Sequence, residues 1–167
     1  VVDLGSGLVR NTLLDEDGKI VVVMEGDSAT SQIIIKRITQ VGLLDNTFGI
    51  AGSVSIAFAA EASPVAPALA ISPEGKIAVG GSYALSGLSI RYGYIYVLTE
   101  DGSLDTEFDD DGSLLFVSGG AQYEVAALAY DEDESLFVSG TLGGTKGDIY
   151  VYAPNGTLDS SFDDSTI

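Results

Sequence analysis

The sequence predicts an all-β chain built from three units of four short antiparallel strands, a propeller-like array of blades. Three observations carry this prediction. Turn-plus-strand segments recur at a fixed spacing along the 167 residues. The strand-like runs are rich in β-branched and aromatic residues, which suit a pleated surface. Helical periodicity is lacking, while the 21 glycines supply the tight turns that many short strands need.

The elements follow in chain order. Each unit opens with a turn and an apolar run: "LDEDGKIVVV" (14–23), "ISPEGKIAVG" (71–80) and "YDEDESLFVS" (130–139). Gly18, Gly75 and Glu134 share one column, 57 and 59 residues apart. These runs do not alternate polar with apolar, so each is expected to be an inner strand buried on both faces. A second strand follows in "IIIKRI" (33–38), "YIYVL" (94–98) and "DIYVY" (148–152). A turn motif comes next: "GLLDNTF", "GSLDTEF" and "GTLDSSF". It aligns Asp45 with Asp105 and Asp159, and Phe48 with Phe108 and Phe162. The aspartates are expected to cap the turn, and the phenylalanines to plug between sheets. A third strand is "GSVSIAF" (52–58) or "GSLLFVS" (112–118), and a fourth is "PVAPALAIS" (64–72) or "YEVAALAY" (123–130). The Ala-rich "AFAAEAS" (57–63) meets Pro64 and Pro67 at once and, like "VSGGAQ" (117–122), is assigned to a loop. The units span 8–58, 64–118 and 123–167, and residues 1–7 are expected to complete the last one. The whole chain, 1–167, is one repeat domain. Self-similarity of this period is the mark of stacked repeats or propeller blades.

Composition bounds the function. There are 25 acidic residues against 7 basic ones, a net charge of −18. Nothing can neutralise a row of phosphates, so neither nucleic acid nor an anionic membrane surface is an expected partner. A hydrophobic fraction of 46% still supports a packed core. With no Cys and no His, disulfides are excluded, zinc, copper and haem sites lose their usual ligands, and the common triads lose their base. No run approaches the ~20 apolar residues of a membrane helix. "VVDLGSGLVR" (1–10) lacks the basic start and apolar stretch of a leader, so an exported protein would already have lost it. The chain reads as a processed or excised piece.

The combined pattern is similar to the bacterial delta-60 repeat, a propeller-type repeat. It consists of a "DGK" turn, a buried strand, an aromatic strand and then "DGSLDxxF", and it covers nearly the whole chain. "DEDGKIVVV", "PEGKIAVGGS" and "TEDGSLDTEF" carry the resemblance. The resemblance implies an exported or surface protein of bacteria acting as a binding or scaffold module, with no reaction assigned to the repeat. Two features depart from it. The Arg before the turn is present only as Arg37, with Val97 and Val151 in its place, and the third unit lacks the turn glycine. Three repeats are fewer than a closed ring usually holds. The expectations are therefore a piece of a longer chain, a two-chain ring, or subunits joined head to tail.

Three kinds of chemistry are open to these residues. "DEDG" (15–18) and "DDDG" (109–112) place Asp15 with Asp17, and Asp109 with Asp111, in alternation, as at the start of a calcium loop. The twelfth position counted from Asp15 or Asp109 is a glycine, so the full EF-hand is absent and a capped turn is the plainer reading. Calcium is the only cofactor expected. Tyr94 and Tyr96, and Tyr150 and Tyr152, form stripes that would either pack between blades or face a glycan or protein ligand. A pair of carboxylates could in principle serve a glycoside hydrolase. Among 25 acids, however, some pair always has a suitable spacing. The expected function is a non-enzymatic, extracellular or cell-surface scaffold that self-associates. The alternative is a ligand-binding propeller for glycans or proteins.

Overall fold

The computed structural model describes residues 1–27, 30–87, 90–116 and 122–162. Among them, eleven strands form three antiparallel sheets and no helix occurs. The first sheet holds β1 (Leu8–Leu14), β2 (Ile20–Glu25), β3 (Gln32–Ile38) and β4 (Ser53–Ala57), in that spatial order. The second holds β5 (Ala62–Ile71), β6 (Ile77–Leu85), β7 (Arg91–Leu98) and β8 (Ser113–Phe116), again in order. The third holds β9 (Tyr123–Tyr130), β10 (Leu136–Leu142) and β11 (Lys146–Tyr152). Most of the loop assigned to 117–122 lies outside the described residues.

Local chemistry sets these elements. In the first turn the N–H of Gly18 donates to the carbonyl of Asp15 at 3.0 Å, and Gly18 takes φ of 71°. Gly75 repeats this at 81°. Glu134 adopts the same left-handed conformation, at 62°, without being glycine. β5 begins two residues before the expected strand and contains both prolines. It is an edge strand with a register shift between Val65 and Ala68, the setting in which a strand tolerates proline.

The sheets stack face to face. Val21, Val23, Ile33, Ile35 and Phe48 of the first sheet's span meet Leu69, Ile77, Val79, Tyr94 and Leu98 of the second. The opposite face of the second sheet offers Ala68, Ala70, Ala78, Ile95, Val97 and Phe108 to Tyr123, Val125, Leu136 and Val138 of the third. β2 and the first half of β6 are therefore buried on both faces. β10 is not: it alternates, because among the described residues only one of its faces has a neighbouring sheet. Phe48 and Phe108 fill the two junctions at 0% and 2% exposure. Phe162 departs from the expected plug. It is 45% exposed and lies edge-on to Phe137, with ring centroids 6.2 Å apart, because no fourth sheet follows among the described residues.

Residues 1–7 do not complete the third sheet, which has three strands among the described residues. They run instead across the outer face of the first sheet, where Leu4 packs with Val22, Met24 and Ile38.

The two junction plugs should dominate stability. Phe48→Ala and Phe108→Ala are each expected to cost about 3–5 kcal/mol in urea unfolding. Phe162→Ala should cost less than about 1 kcal/mol, since an exposed ring has little burial to lose. Equal losses at all three positions would show that the junction assignment is wrong.

Candidate functional site

The repeated polar residues gather where the turns of successive sheets meet. Asp45, Asp105 and Asp159 play the same backbone role. Their N–H groups donate back to Arg37, Val97 and Val151 at 2.9, 2.9 and 2.8 Å, and their carbonyls accept from Phe48, Phe108 and Phe162. Each carboxylate also accepts an N–H two residues on, from Thr47, Glu107 and Ser161 at 3.1, 3.2 and 2.9 Å. The Asp thus bends the chain and sets the direction of the Phe.

The second carboxylate oxygen distinguishes the units. In the first, Asp45 Oδ2 accepts from Arg37 Nε at 2.8 Å and lies 3.4 Å from Lys19 Nζ. In the second, Asp105 Oδ2 pairs with Lys76 Nζ at 2.8 Å. Lys19 and Lys76 occupy the same column, directly after the turn glycine. The third unit has Ser135 in that column, and Asp159 is exposed. In sequence the aspartate is kept in all three units and only the lysine is missing from the third, so it takes the structure to show that the aspartate without a lysine is the exposed one.

Arg37 is 3% exposed and ties the first sheet to the second. It donates to the Glu100 carbonyl at 2.6 Å and to Thr47 Oγ1 at 3.2 Å, and its guanidinium lies 4.8 Å from the centre of the Phe48 ring. The Thr47 hydroxyl holds the Asp45 carboxyl well below the usual carboxylate range, against the opposing effect of burial. The Thr47 N–H and the Arg37 charge add to it. Asp105 holds the Lys76 ammonium above its ordinary pKa.

The calcium candidates are placed as follows. Asp15 accepts the N–H of Lys19 at 2.8 Å, closing its own turn. Asp17 lies 3.5 Å from Lys19 Nζ, and its carbonyl accepts from Gln40. Asp109 takes φ of 49° and donates its N–H to Asn155. Asp111 accepts from both the N–H and the hydroxyl of Ser113. Among the described residues, no three acidic side chains converge in a way that would hold a metal ion. Asp15, Asp17, Glu74 and Glu100 do line one cavity of about 170 Å³ at the junction of the first two sheets.

The tyrosines are packing groups in this structure. Tyr94 is fully buried and its hydroxyl donates to the Val65 carbonyl at 3.0 Å, so it does not face a ligand. Tyr96 leans on the same core beside Phe58. Tyr152 is 8% exposed, and burial, followed by the nearby Tyr150, pushes its hydroxyl up to about 12. Tyr150 packs on the second junction with Phe116, their centroids 6.2 Å apart. Burial also raises the hydroxyls of Tyr94 and Tyr123 above their ordinary range.

The chain matches no family model and no curated protein sequence.

Asp45 gives this turn cluster a pH signature. Its folded pKa lies below the unfolded value of about 3.9, so its stabilisation is complete above that value and is lost as pH falls through the folded pKa. Asp45→Asn should cost about 3 kcal/mol near neutral pH, because buried Arg37 keeps its charge and loses its partner. The gap between variant and parent should narrow below about pH 4. A gap independent of pH would show that the Asp45 charge does not stabilise the fold.

Proposed function

We propose that the chain is a non-catalytic, self-associating scaffold module made of propeller-type blades, exported to the bacterial surface or medium. The observation that carries this reading is how the residues repeated along the chain are used. Each Asp, Phe and turn column joins one sheet to itself or to the next, and the aspartates and lysines of these columns are engaged in those bonds. Sheet stacking supports the blade reading further. The first strands of successive sheets lie closest together, with β5 against β1, β2 and β3, and β9 against β5, β6 and β7. That wedge-like approach suits blades arranged about an axis. The resemblance to delta-60 repeats points the same way, and the acidic surface suits a saline, extracellular setting.

A second reading, a propeller that binds a glycan or protein, is favoured by one feature. Tyr83 and Tyr92 are half-buried, with ring centroids 5.4 Å apart, beside Phe58. Their exposed edges offer an apolar platform to a sugar face.

Calcium is kept as a proposal for the two Asp pairs named from the sequence, Asp15 with Asp17 and Asp109 with Asp111. If it binds only the native chain, millimolar calcium should raise the Tm while equal ionic strength from sodium chloride does not. An unchanged Tm removes calcium from the proposal.

Self-association of a chain with charge −18 must overcome repulsion between like charges. Sedimentation across a concentration series should therefore show association that tightens between 0.02 and about 0.3 M salt. A single-chain mass at all concentrations and salts, combined with saturable glycan binding, would replace the scaffold reading with the second one.

A further inference from the structure

The two ends of the sheet stack are unlike. The outer face of the third sheet carries Ala127, Ala129, Phe137, Ser139, Ile149 and Val151, by the register of β9, β10 and β11. In repeat position these match Ala68, Ala70, Ala78, Gly80, Ile95 and Val97, most of which pack the second sheet against the third. Among the described residues no sheet covers this face, and it repeats a surface that already receives a sheet inside the molecule. Its turn motif is set in the same way, with Phe162 and Ile149 left 45% and 55% exposed.

The other end is the reciprocal surface. At each internal junction the residue after the Phe donates its N–H to the turn of the next unit. Gly49 donates to the Asp101 carbonyl at 2.7 Å, and Asp109 to the Asn155 carbonyl at 3.0 Å. The following glycine allows this approach: a Cβ at Gly102 would lie 2.9 Å from the Phe48 ring, and one at Gly156 would lie 2.6 Å from Asp109 N. The first unit has the same turn, with Gly42 at φ of 82°. Beside it, Val41 and Leu43 are exposed apolar side chains.

Residues 1–7 lie on this reciprocal face. Val2 is the neighbour of Gly42, at 3.6 Å from a Cβ placed there, where the corresponding glycine of the second unit meets Phe48. Leu4 covers Val22, Met24 and Ile38. The segment thus sits where the face of a preceding sheet would sit.

The geometry points to head-to-tail docking of two copies of this chain. The outer face of the third sheet of one copy receives the first sheet of the other, in competition with residues 1–7 of the receiving copy. This rests on the scaffold reading and names its interface: a heterologous contact, limited by a strap that must leave first. The occupant is a second copy because the contact continues an interface the chain already makes twice.

The test uses the full chain, with Leu4→Asp to lift the strap and Phe162→Asp to block the outer face. Circular dichroism and melting would verify that each variant is folded. Leu4→Asp should tighten self-association at least tenfold over the parent in sedimentation equilibrium. Adding Phe162→Asp to it should abolish the gain. At concentrations where the parent alone is single, mixing it with the Leu4→Asp, Phe162→Asp double variant should give a complex that stops at two chains, the strapped parent offering its outer face and the variant its first sheet. Unchanged association after Phe162→Asp, or a double variant that still associates alone, would overturn this interface while leaving self-association standing. A Leu4→Asp chain that remains single would also overturn it. If no variant or parent associates at any concentration, the scaffold reading fails with it.

Discussion

The structure depends on one contact made twice: an aromatic ring, delivered by a tight Asp turn, filling the space between two sheets. A single four-stranded sheet of this size has two apolar faces and nothing to bury them against. Phe48 and Phe108 solve this at the end where the sheets would otherwise part. The N–H after each ring then joins the turn of the next unit, so the ring and the backbone bond fix spacing and register together. Register matters because a slip of one residue would turn the buried columns of a strand outward.

Charge is organised around the same contact. The chain is strongly acidic, and three of its seven cations stand where two turn carboxylates are buried. Arg37 and Lys19 reach Asp45, and Lys76 reaches Asp105. Removing an acid from water is costly unless it is paired and hydrogen-bonded, and both aspartates have a cation and a backbone N–H. At Asp159 the carboxylate remains in water, and no lysine stands in the matching column. Lys19, Arg37 and Lys76 thus stand where Asp45 and Asp105 are buried, and those two turns are the ones with another sheet beyond them.

This explains what the sequence disclosed and what it concealed. β2 and β6 were legible as doubly buried strands because neighbours cover both their faces. β10 has a similar apolar run but one neighbouring sheet among the described residues, and a run of residues cannot report how many sheets lie beside it. The turns at Gly18 and Gly75 were legible because Gly before Lys has a conformational reason. The strap of residues 1–7 was not legible, since it has no counterpart in the other units and its contacts are with Val22, Met24 and Ile38. The tyrosine stripes were located correctly along the strands, but alternation does not say whether a face meets solvent or another sheet. For Tyr94 it meets the first junction.

Glu134 shows how neighbouring sheets decide what a repeat column tolerates. A left-handed backbone costs a non-glycine residue roughly 1–2 kcal/mol, so its presence in the glycine column calls for compensation. Its carboxylate supplies some: Oε1 accepts the N–H of Glu74 at 2.8 Å, tying the turn of the third sheet to that of the second. The same carboxylate adds to the charge that keeps Lys76 protonated beside Asp105. A glycine at 134 would relax the backbone and lose both links. The column that looks degraded in sequence has exchanged local comfort for a bond across the junction, and it has done so where Val97 has replaced the arginine that ties the first junction.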